Sequence, residues 1–334
     1  MRIAVDAMGG DFAPKEVVAG AVDAARGLPS VTDIYLVGDE SAIKAELDLC
    51  GKIPANIHIR HASQVVEMGE APAHAVRRKK DSSICRAVDM VKAGEADAVM
   101  SAGNTGAVVA AATLKLRTLE GVVRPAIATV MPTHSNPLVL VDAGANPDCG
   151  PKLLQQFAVM GSVYSRIIIG PKKPIVGLLS IGGEASKGNE KTKETFSLLQ
   201  DSHLNFRGNV EGHDLFEGET DVAVCDGFVG NVVLKTTESV AHAFGHWMKE
   251  EFKQNWLRLL GCIFLQGALK SMKARLDPEM YGGAPLLGVN GVCIITHGSS
   301  SRCAIFHAIR VASESVHNHL NQEIAAEIAK LDTV

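Results

Sequence analysis

Short runs of apolar and β-branched residues recur along the whole chain, and they constrain its fold more than any other feature. Most intervals between them have the spacing of amphipathic helices. Such alternation is typical of a largely parallel sheet with helices on both faces. We therefore predict a three-layer α/β/α sandwich. The predicted strands are residues 3–6, 34–37, 57–60, 98–101, 126–131, 138–142, 175–179, 222–225 and 292–296. The predicted covering helices are residues 15–26, 41–49, 83–93, 106–114 and 152–164.

Residues 230–277 depart from this alternation, because they contain no strand pattern and read as long helices. The chain shows no fixed-period repeat and no linker rich in Pro, Gly and Ser that would separate two units. We expect one domain over residues 1–334, with a helical insert at about 230–277.

Composition excludes several classes of protein. A formal net charge of -4 and an aromatic content of 4% are unlike those of a nucleic-acid-binding protein. The 7 cysteines form no Cys-x-x-Cys pair, which favours reduced thiols over zinc binding. The chain opens with a strand pattern rather than a leader, and its longest apolar run, residues 259–265, is far shorter than the ~20 residues of a membrane span. We expect a cytoplasmic protein.

The segment SIGGEASKGNE, residues 180–190, directly follows a predicted strand. Glycines there let the backbone approach an anion closely, and the Lys187 ammonium would neutralise its charge. It is not a Walker A loop, because Asn189 stands where that motif has its lysine. The segment predicts a phosphate site, and a solvated surface lysine is the alternative.

Four other strand ends carry similar turns, in which an acid or Ser is followed by Gly and Asn or Asp. They are residues 6–11, 101–106, 142–146 and 226–231. Carboxyl ends of parallel strands share one edge, where Asn side chains and helix N-termini would form an anion-accepting floor. Glycine in any single turn is explained by a tight connection alone, but the recurrence favours a shared site.

The turn at residues 297–302 follows the last strand with three serines, for which helix capping is the simpler reading. The alternative is that the serine hydroxyls, His297 and Arg302 add to the anion site. Cys149 and Cys225 lie beside two of the turns, but buried core cysteines are common and no partner His is fixed by spacing.

A basic run and an apolar stripe are candidates for contact with other molecules. The basic run at residues 77–80 is either a solvated face or a docking surface for an acidic partner. An apolar stripe at helical spacing fits a buried core or a dimer interface, or else reversible attachment to a bilayer. The stripe consists of Phe252, Trp256, Leu260, Ile263 and Phe264.

Five motifs in order closely resemble the bacterial phosphate acyltransferases of phospholipid synthesis. They are VDAMGGDFAP (5–14), SAGNTG (101–106), SKGNE (186–190), DGFVGN (226–231) and YGGAPLLG (281–288). The match runs essentially end to end. One local departure is Gly183, which stands where an acidic residue is expected before Glu184.

The resemblance implies a fold similar to isocitrate and isopropylmalate dehydrogenases and phosphotransacetylase, largely parallel with some antiparallel strands. It implies a homodimeric transferase that moves a long-chain fatty acyl group from acyl carrier protein to inorganic phosphate. The acyl phosphate would feed a membrane glycerol-phosphate acyltransferase, so peripheral contact with the inner face of the membrane is part of the expectation. No metal, nucleotide or other cofactor is expected.

Within that resemblance we predict direct attack of phosphate on the thioester. As catalytic residues, Lys187 would hold phosphate and offset its charge, while Asn189, Asn231 and the backbone of residues 103–105 would complete the cradle and stabilise the oxyanion. The other predicted binding residues at these turns are Gly103, Asn104, Thr105, Gly106, Asp226 and Gly227. The carrier protein would dock near residues 77–80, and the helical insert would supply an acyl groove or membrane contact.

Three rival functions remain at this point. A dehydrogenase of similar fold lacks support, because the sequence has no dinucleotide fingerprint. A phosphotransacetylase acting on short acyl-CoA differs in carrier and chain length. A lipid-surface scaffold without catalysis would leave the polar turns unexplained.

Overall fold

A computed structural model describes residues 1–276 and 278–331, with side chains described throughout these ranges except at 259, 273–276 and 278. The strands are β1 (Arg2–Asp6), β2 (Asp33–Gly38), β3 (Ile57–His61), β4 (Ala98–Ser101), β5 (Ala126–Met131), β6 (Leu138–Val141), β7 (Ile175–Leu179), β8 (Asn205–Val210), β9 (Val222–Val224), β10 (Ala284–Leu287) and β11 (Val292–Ile295). The helices are α1 (Lys15–Gly27), α2 (Glu40–Leu49), α3 (Pro72–Arg78), α4 (Ser83–Lys92), α5 (Thr105–Lys115), α6 (Pro151–Tyr164), α7 (Glu190–Gln200), α8 (Asp214–Glu217), α9 (Gly227–Lys253), α10 (Trp256–Leu276), α11 (Arg302–His317) and α12 (Leu320–Ala329). A π-helical turn (Ser165–Ile169) continues α6.

In the described part of the chain the strands form one 11-stranded sheet in the order β3-β2-β1-β4-β11-β10-β5-β6-β9-β7-β8. Neighbours are parallel except at β11–β10, β10–β5 and β5–β6. Two parallel sets, β3-β2-β1-β4-β11 and β6-β9-β7-β8, therefore run in opposite directions and are joined through β10 and β5. The predicted α/β sandwich, with a largely parallel sheet and some antiparallel strands, is confirmed.

Alternate residues of the central strands pack on opposite faces of the sheet. Ile3 and Val5 belong to a core shared with α1 and α11, whereas Ala4 belongs to a core shared with α4 and α5. Burial on both faces explains why these strands read as continuous apolar runs. Burying one large apolar side chain in this way contributes about 1.5–3 kcal/mol to the free energy of folding.

The sequence predicted that the strand ends share one edge of a parallel sheet. The structure differs, because the strands form two parallel sets that run in opposite directions. Ile295 is in register with Ala284, the first residue of β10, and Val141 is in register with Ala128 in β5. Because β10 pairs with β5 through Leu286 and Ile127, the two sets of strands end at nearly the same level, approaching it from opposite sides. The antiparallel central strands thus bring the turns of both sets to the middle of the sheet.

Two strands of the structure, β8 and β10, were not predicted from the sequence. β8 lies at the sheet edge and carries Gly208, and its first four residues alternate between exposed and half-buried positions. β10 contains Pro285, which cannot donate to a ladder, but its first two residues pair with β11 and its last two with β5. Neither pattern resembles a buried strand.

The stretch predicted as a helical insert is occupied by α9 and α10, and residue 277 lies outside the described residues. None of the described helices is both long and apolar enough to cross a bilayer. The division of the chain into domains stays a prediction.

Candidate active site

A cleft of about 720 Å³ lies where the two sets of strands meet. Turns from both sets reach it. They contribute Thr105 after β4, Ala143 after β6, Asn231 after β9, and Thr296, His297, Ser299 and Ser300 after β11. Its walls also include the apolar side chains of Ile127, Val130, Leu234, Tyr281, Ala284, Ile295 and Ala304. The cleft therefore combines hydrogen-bonding groups at strand ends with a surface that can hold a hydrocarbon.

The β1 and β4 turns are fastened to each other behind the cleft. Ser101 Oγ donates to the buried Asp6 carboxylate at 2.6 Å and accepts from the Gly103 N–H at 3.0 Å. Burial raises the pKa of Asp6, and the hydrogen bond from Ser101 opposes that rise. A Cβ on Gly9 would lie 2.7 Å from the Gly103 nitrogen, so the two turns fit only with glycine there. Gly103 therefore uses its N–H to hold the two turns together, through its hydrogen bond to Ser101.

Asn104 begins α5 and its side chain is fully used in fixing the local backbone. Its Oδ1 accepts from the Ala107 N–H at 3.0 Å, while its Nδ2 donates to the carbonyls of Met68 and Glu70 at 2.8 and 3.1 Å. Thr105 and Gly106 follow as the first two residues of the helix, and the N–H groups of a helix's first turn have no intrahelical acceptor. The Asn104 side chain is therefore engaged by the protein's own backbone, whereas a helix N-terminus is a structure that can bind an anion.

The loop after β6 is built around Asp142, which belongs to one of the predicted strand-end turns but had no predicted role of its own. This fully buried carboxylate accepts from the N–H groups of Ile127, Ala145 and Asn146 at 3.0, 3.0 and 2.7 Å. Burial raises the pKa of Asp142, and these hydrogen bonds lower it. The carboxylate fixes the loop that carries Ala143 into the cleft.

Helix α9 starts on that loop. Asp226 caps the helix by accepting from the Val229 N–H at 2.8 Å, and the buried Gly227 donates its N–H to the Asn146 carbonyl at 2.7 Å. One turn later Asn231 lies next to Gly144 and lines the cleft. Of the predicted binding and catalytic residues, Asn231 and Thr105 line the cleft, whereas Asp226 and Gly227 hold the backbone beneath it.

The Lys187 turn follows β7, which neighbours β9 in the sheet, and its residues do not line the cleft. Lys187 is exposed, and its N–H donates to the Glu184 carbonyl at 2.9 Å. Asn189 caps α7 by accepting from the Thr192 N–H at 2.9 Å. An ion pair between Lys191 and Asp148 ties the first turn of α7 to the loop after β6. The structure therefore brings this turn close to the β6 and β9 turns without placing Lys187 among the cleft's lining residues.

In the turn after β11 one serine caps a helix, as predicted, and other residues line the cleft. Ser301 caps α11 and also donates its hydroxyl to Glu279 at 2.5 Å. His297, Ser299 and Ser300 line the cleft. Arg302 does not join them, because its guanidinium pairs with Asp23.

A family model described as a fatty acid synthesis protein matches residues 1–323. Curated relatives named phosphate acyltransferase match the chain throughout. One from Pelotomaculum thermopropionicum is 53% identical over 334 residues, covering 99% of this chain and 96% of its own. One from Geobacter sulfurreducens is 50% identical over 330 residues, covering 98% and 94%. The chain belongs to the phosphate acyltransferase family. Members of this family are acyltransferase enzymes, so a purely structural scaffold is excluded.

Solved structures with the same fold include a phosphotransacetylase from Streptococcus pyogenes, with a TM-score of 0.66 and 17% identity over 95% of this chain and 94% of the other. A putative 4-hydroxythreonine-4-phosphate dehydrogenase from Salmonella typhimurium has a TM-score of 0.55 and 13% identity, covering 94% and 98%. The predicted likeness to phosphotransacetylase and dehydrogenase folds is confirmed.

The thiols near the cleft are unsuited to covalent catalysis in this phosphate acyltransferase family member. Burial raises the pKa of Cys149 to about 12, and burial also raises the pKa of Cys225. Cys149 Sγ donates to the Asn146 carbonyl at 3.4 Å. Because the thiolate is the nucleophile, both groups are inert near neutral pH.

The apolar stripe lies away from the cleft. Trp256, Leu260, Ile263 and Phe264 are exposed, with 87% of Phe264 accessible, and Phe252 is half-buried. The insert contributes instead through α9, from which Asn231, Leu234, Lys235, Glu238, Ser239 and His242 line the cleft. The two parts of the insert thus have different surroundings.

The basic run lies at the end of α3. Arg77, Arg78 and Lys80 are exposed, whereas Lys79 pairs with Glu70 and donates to the Val65 carbonyl at 2.7 Å.

Among the described residues, one group of side chains could hold a metal ion. It consists of His213, Asp214 and Glu217, whose ligand atoms lie within 4.8 Å of one another. It sits at α8, which contributes nothing to the cleft.

Proposed function

We propose that this enzyme transfers a long-chain fatty acyl group from acyl carrier protein to inorganic phosphate, releasing acyl phosphate and the free carrier. Family membership supports acyl transfer to phosphate, and the carrier and chain length are our proposal. The observation that carries it is the cleft itself, where a helix N-terminus and the Asn231 amide face apolar walls. Phosphate and a hydrocarbon chain can occupy such a site together.

In the proposed reaction a phosphate oxygen attacks the thioester carbonyl carbon. A C–O bond forms, the carbonyl π electrons move to oxygen, and the C–S bond then breaks with its electron pair on the departing thiolate. Positioning and charge stabilisation supply most of the rate. Asn231 and the N–H groups of Thr105 and Gly106 bind phosphate. Asn189, whose Oδ1 is occupied by capping, contributes its amide N–H.

Phosphate also needs a cation. Among the described residues that line the cleft, the only Lys or Arg is Lys235, and it pairs with Glu238 at 2.8 Å. Lys187 is on the neighbouring turn, exposed and flanked by Gly188. We therefore propose that the Lys187 ammonium neutralises the charge of the bound phosphate. The surrounding backbone is supported by Gly103, Asn104, Asp226 and Gly227.

The decisive substitution is Lys187→Ala. Purified protein is incubated with palmitoyl-acyl carrier protein with and without phosphate, acyl phosphate is trapped as hydroxamate, and release of the carrier thiol is followed. Loss of the charge partner should lower kcat/KM for phosphate by about 10²-fold or more. The control is Lys193→Ala, which removes an exposed lysine of the following helix α7 and should leave kcat/KM for phosphate as in the parent. Full phosphate-dependent turnover by Lys187→Ala would remove Lys187 from the site.

The acidic carrier is proposed to dock on the exposed Arg77 and Arg78. Charge reversal of both residues should raise the KM for acyl carrier protein about tenfold at low salt, with the KM for phosphate unchanged. The matched control reverses Lys172 and Lys173, an exposed basic pair before β7, at the opposite end of that strand from the Lys187 turn. An equal rise in both double variants would make the effect one of net charge rather than docking.

A short-chain phosphotransacetylase acting on acyl-CoA is the second candidate, favoured by the shared fold alone. The same assay separates the two, because acyl-CoA would then outcompete acyl carrier protein. Our proposal also includes a homodimer in the cytoplasm with peripheral contact at the inner face of the membrane. Delivery there would shorten the path of an apolar acyl phosphate to a membrane glycerol-phosphate acyltransferase.

A further inference from the structure

Two cleft residues at the end of β11, Thr296 and His297, have no part in the mechanism above. The backbone of their turn is held on both sides: the Thr296 N–H donates to the Ser101 carbonyl at 2.9 Å, and the Asp11 N–H donates to the Gly298 carbonyl at 2.7 Å. Both residues therefore line the cleft from a fixed backbone.

The hydrogen bonds of His297 determine which ring nitrogen carries the proton. The Ser299 N–H donates to His297 Nδ1 at 3.2 Å, and Ser299 Oγ lies 2.7 Å from the same atom. A nitrogen that accepts a backbone N–H has no proton of its own, so the neutral imidazole carries its proton on Nε2. A neutral imidazole N–H can polarise a carbonyl oxygen without bringing a formal charge.

Thr296 supplies an independent observation. It is 6% exposed, and its Oγ1 is buried with no hydrogen-bond partner among the described residues. Buried hydroxyl groups nearly always have a partner, and an unsatisfied one in a cleft wall calls for a ligand atom. Thr296 and His297 line the same cleft, so an acceptor atom of a ligand bound there is available to either donor.

Accepting the proposed function, we propose that Thr296 Oγ–H and His297 Nε2–H bind the thioester carbonyl oxygen as it becomes an oxyanion. When phosphate attacks, the carbonyl π electrons move to this oxygen and both hydrogen bonds strengthen. When the C–O double bond re-forms and the C–S bond breaks, the electron pair leaves on sulfur. Neither residue gains or loses a proton, so the step balances without a general acid.

The test compares His297→Ala, His297→Gln and Thr296→Val in the complete enzyme, with kcat and KM measured for phosphate and for palmitoyl-acyl carrier protein. Removal of an oxyanion donor should lower kcat about 10²–10³-fold for His297→Ala, with both KM values within about twofold. His297→Gln keeps a neutral N–H donor and should recover at least about tenfold of that loss. Thr296→Val should lower kcat by at least about tenfold.

The control is His317→Gln at the far, exposed end of α11, which should match the parent. Unchanged kcat in His297→Ala, or a rise confined to the KM for phosphate, would overturn the proposal; in the latter case the turn would bind phosphate. If Thr296→Val fails to fold in a thermal melt, the two His297 variants decide. A parent enzyme that forms no acyl phosphate would instead refute the proposed function, and that result is read before any variant.

Discussion

The two ends of helix α9 are in opposite environments. At its start Gly227 and Gly230 are buried against the loop after β6, and Asn231 faces the cleft. Further along, Phe244 and Trp247 are 53% and 62% exposed. One helix therefore joins a close-packed base at the active site to an apolar surface that this single chain does not cover. Exposed apolar patches of this kind mark surfaces that meet another molecule or a membrane.

Gly230→Ala should have the largest effect, because it attacks the packed base. A Cβ there would lie 1.9 Å from the Asp142 carbonyl oxygen, and backbone on both sides cannot move away. We expect a loss of about 3 kcal/mol or more in the free energy of unfolding, measured in urea, together with loss of activity.

Gly245→Ala in the same helix is the matched control, because nothing lies within 4 Å of its Cβ position. It should stabilise the protein by up to about 1 kcal/mol through helix propensity. Equal destabilisation by both substitutions would show that the base and the distal part of α9 are packed alike.

Phe264→Glu should have the next largest effect, confined to the uncovered surface. If this side chain enters a bilayer, its burial contributes about 1.5–3 kcal/mol, so the charge should reduce cosedimentation with anionic vesicles at least about tenfold. Gln266→Glu adds the same charge at an exposed polar position of α10 and serves as control. If Phe264→Glu sediments with vesicles normally but shifts the oligomeric state in ultracentrifugation, the surface is a dimer interface.

The fold was predictable from sequence where burial on both faces left continuous apolar runs, as in β1 and β5. It was not predictable where pairing overrides composition: Pro285 occupies a central strand because that strand changes partners at this residue. The meeting of strand ends from opposite directions was also missed, since direction depends on pairing across the sheet rather than on any local pattern.

The site was predictable as a set of turns but not residue by residue. Asn104, Asn189 and Asn231 follow similar glycine-containing patterns, yet two cap helices and one lines the cleft. The difference is one of position: a capping Asn precedes its helix, while Asn231 lies a turn inside α9, where the helix face decides its direction. Likewise, nothing near Arg302 in sequence indicates its pairing with Asp23.

The smallest effect expected is a chemical one that leaves the fold intact. Cys149 lies under the base of α9, whereas Cys262 on α10 is half-buried in the distal part of the insert. Burial raises the pKa of Cys149 to about 12, so its thiolate is scarce at pH 8 and its reaction with iodoacetamide should be at least about tenfold slower than that of Cys262.

The sign of the pH dependence follows from the direction of that shift. A raised thiol pKa keeps Cys149 protonated, so its labelling in the native protein should stay slow from pH 7 to pH 9 and accelerate only in urea, where unfolding restores an ordinary pKa near 8.5. Peptide mass spectrometry of partly labelled protein gives both rates in one sample. Rapid labelling of native Cys149 would mean that the loop after β6 opens readily. In that case α9 would be loosely held at both ends, and the contrast between its base and its exposed surface would fail.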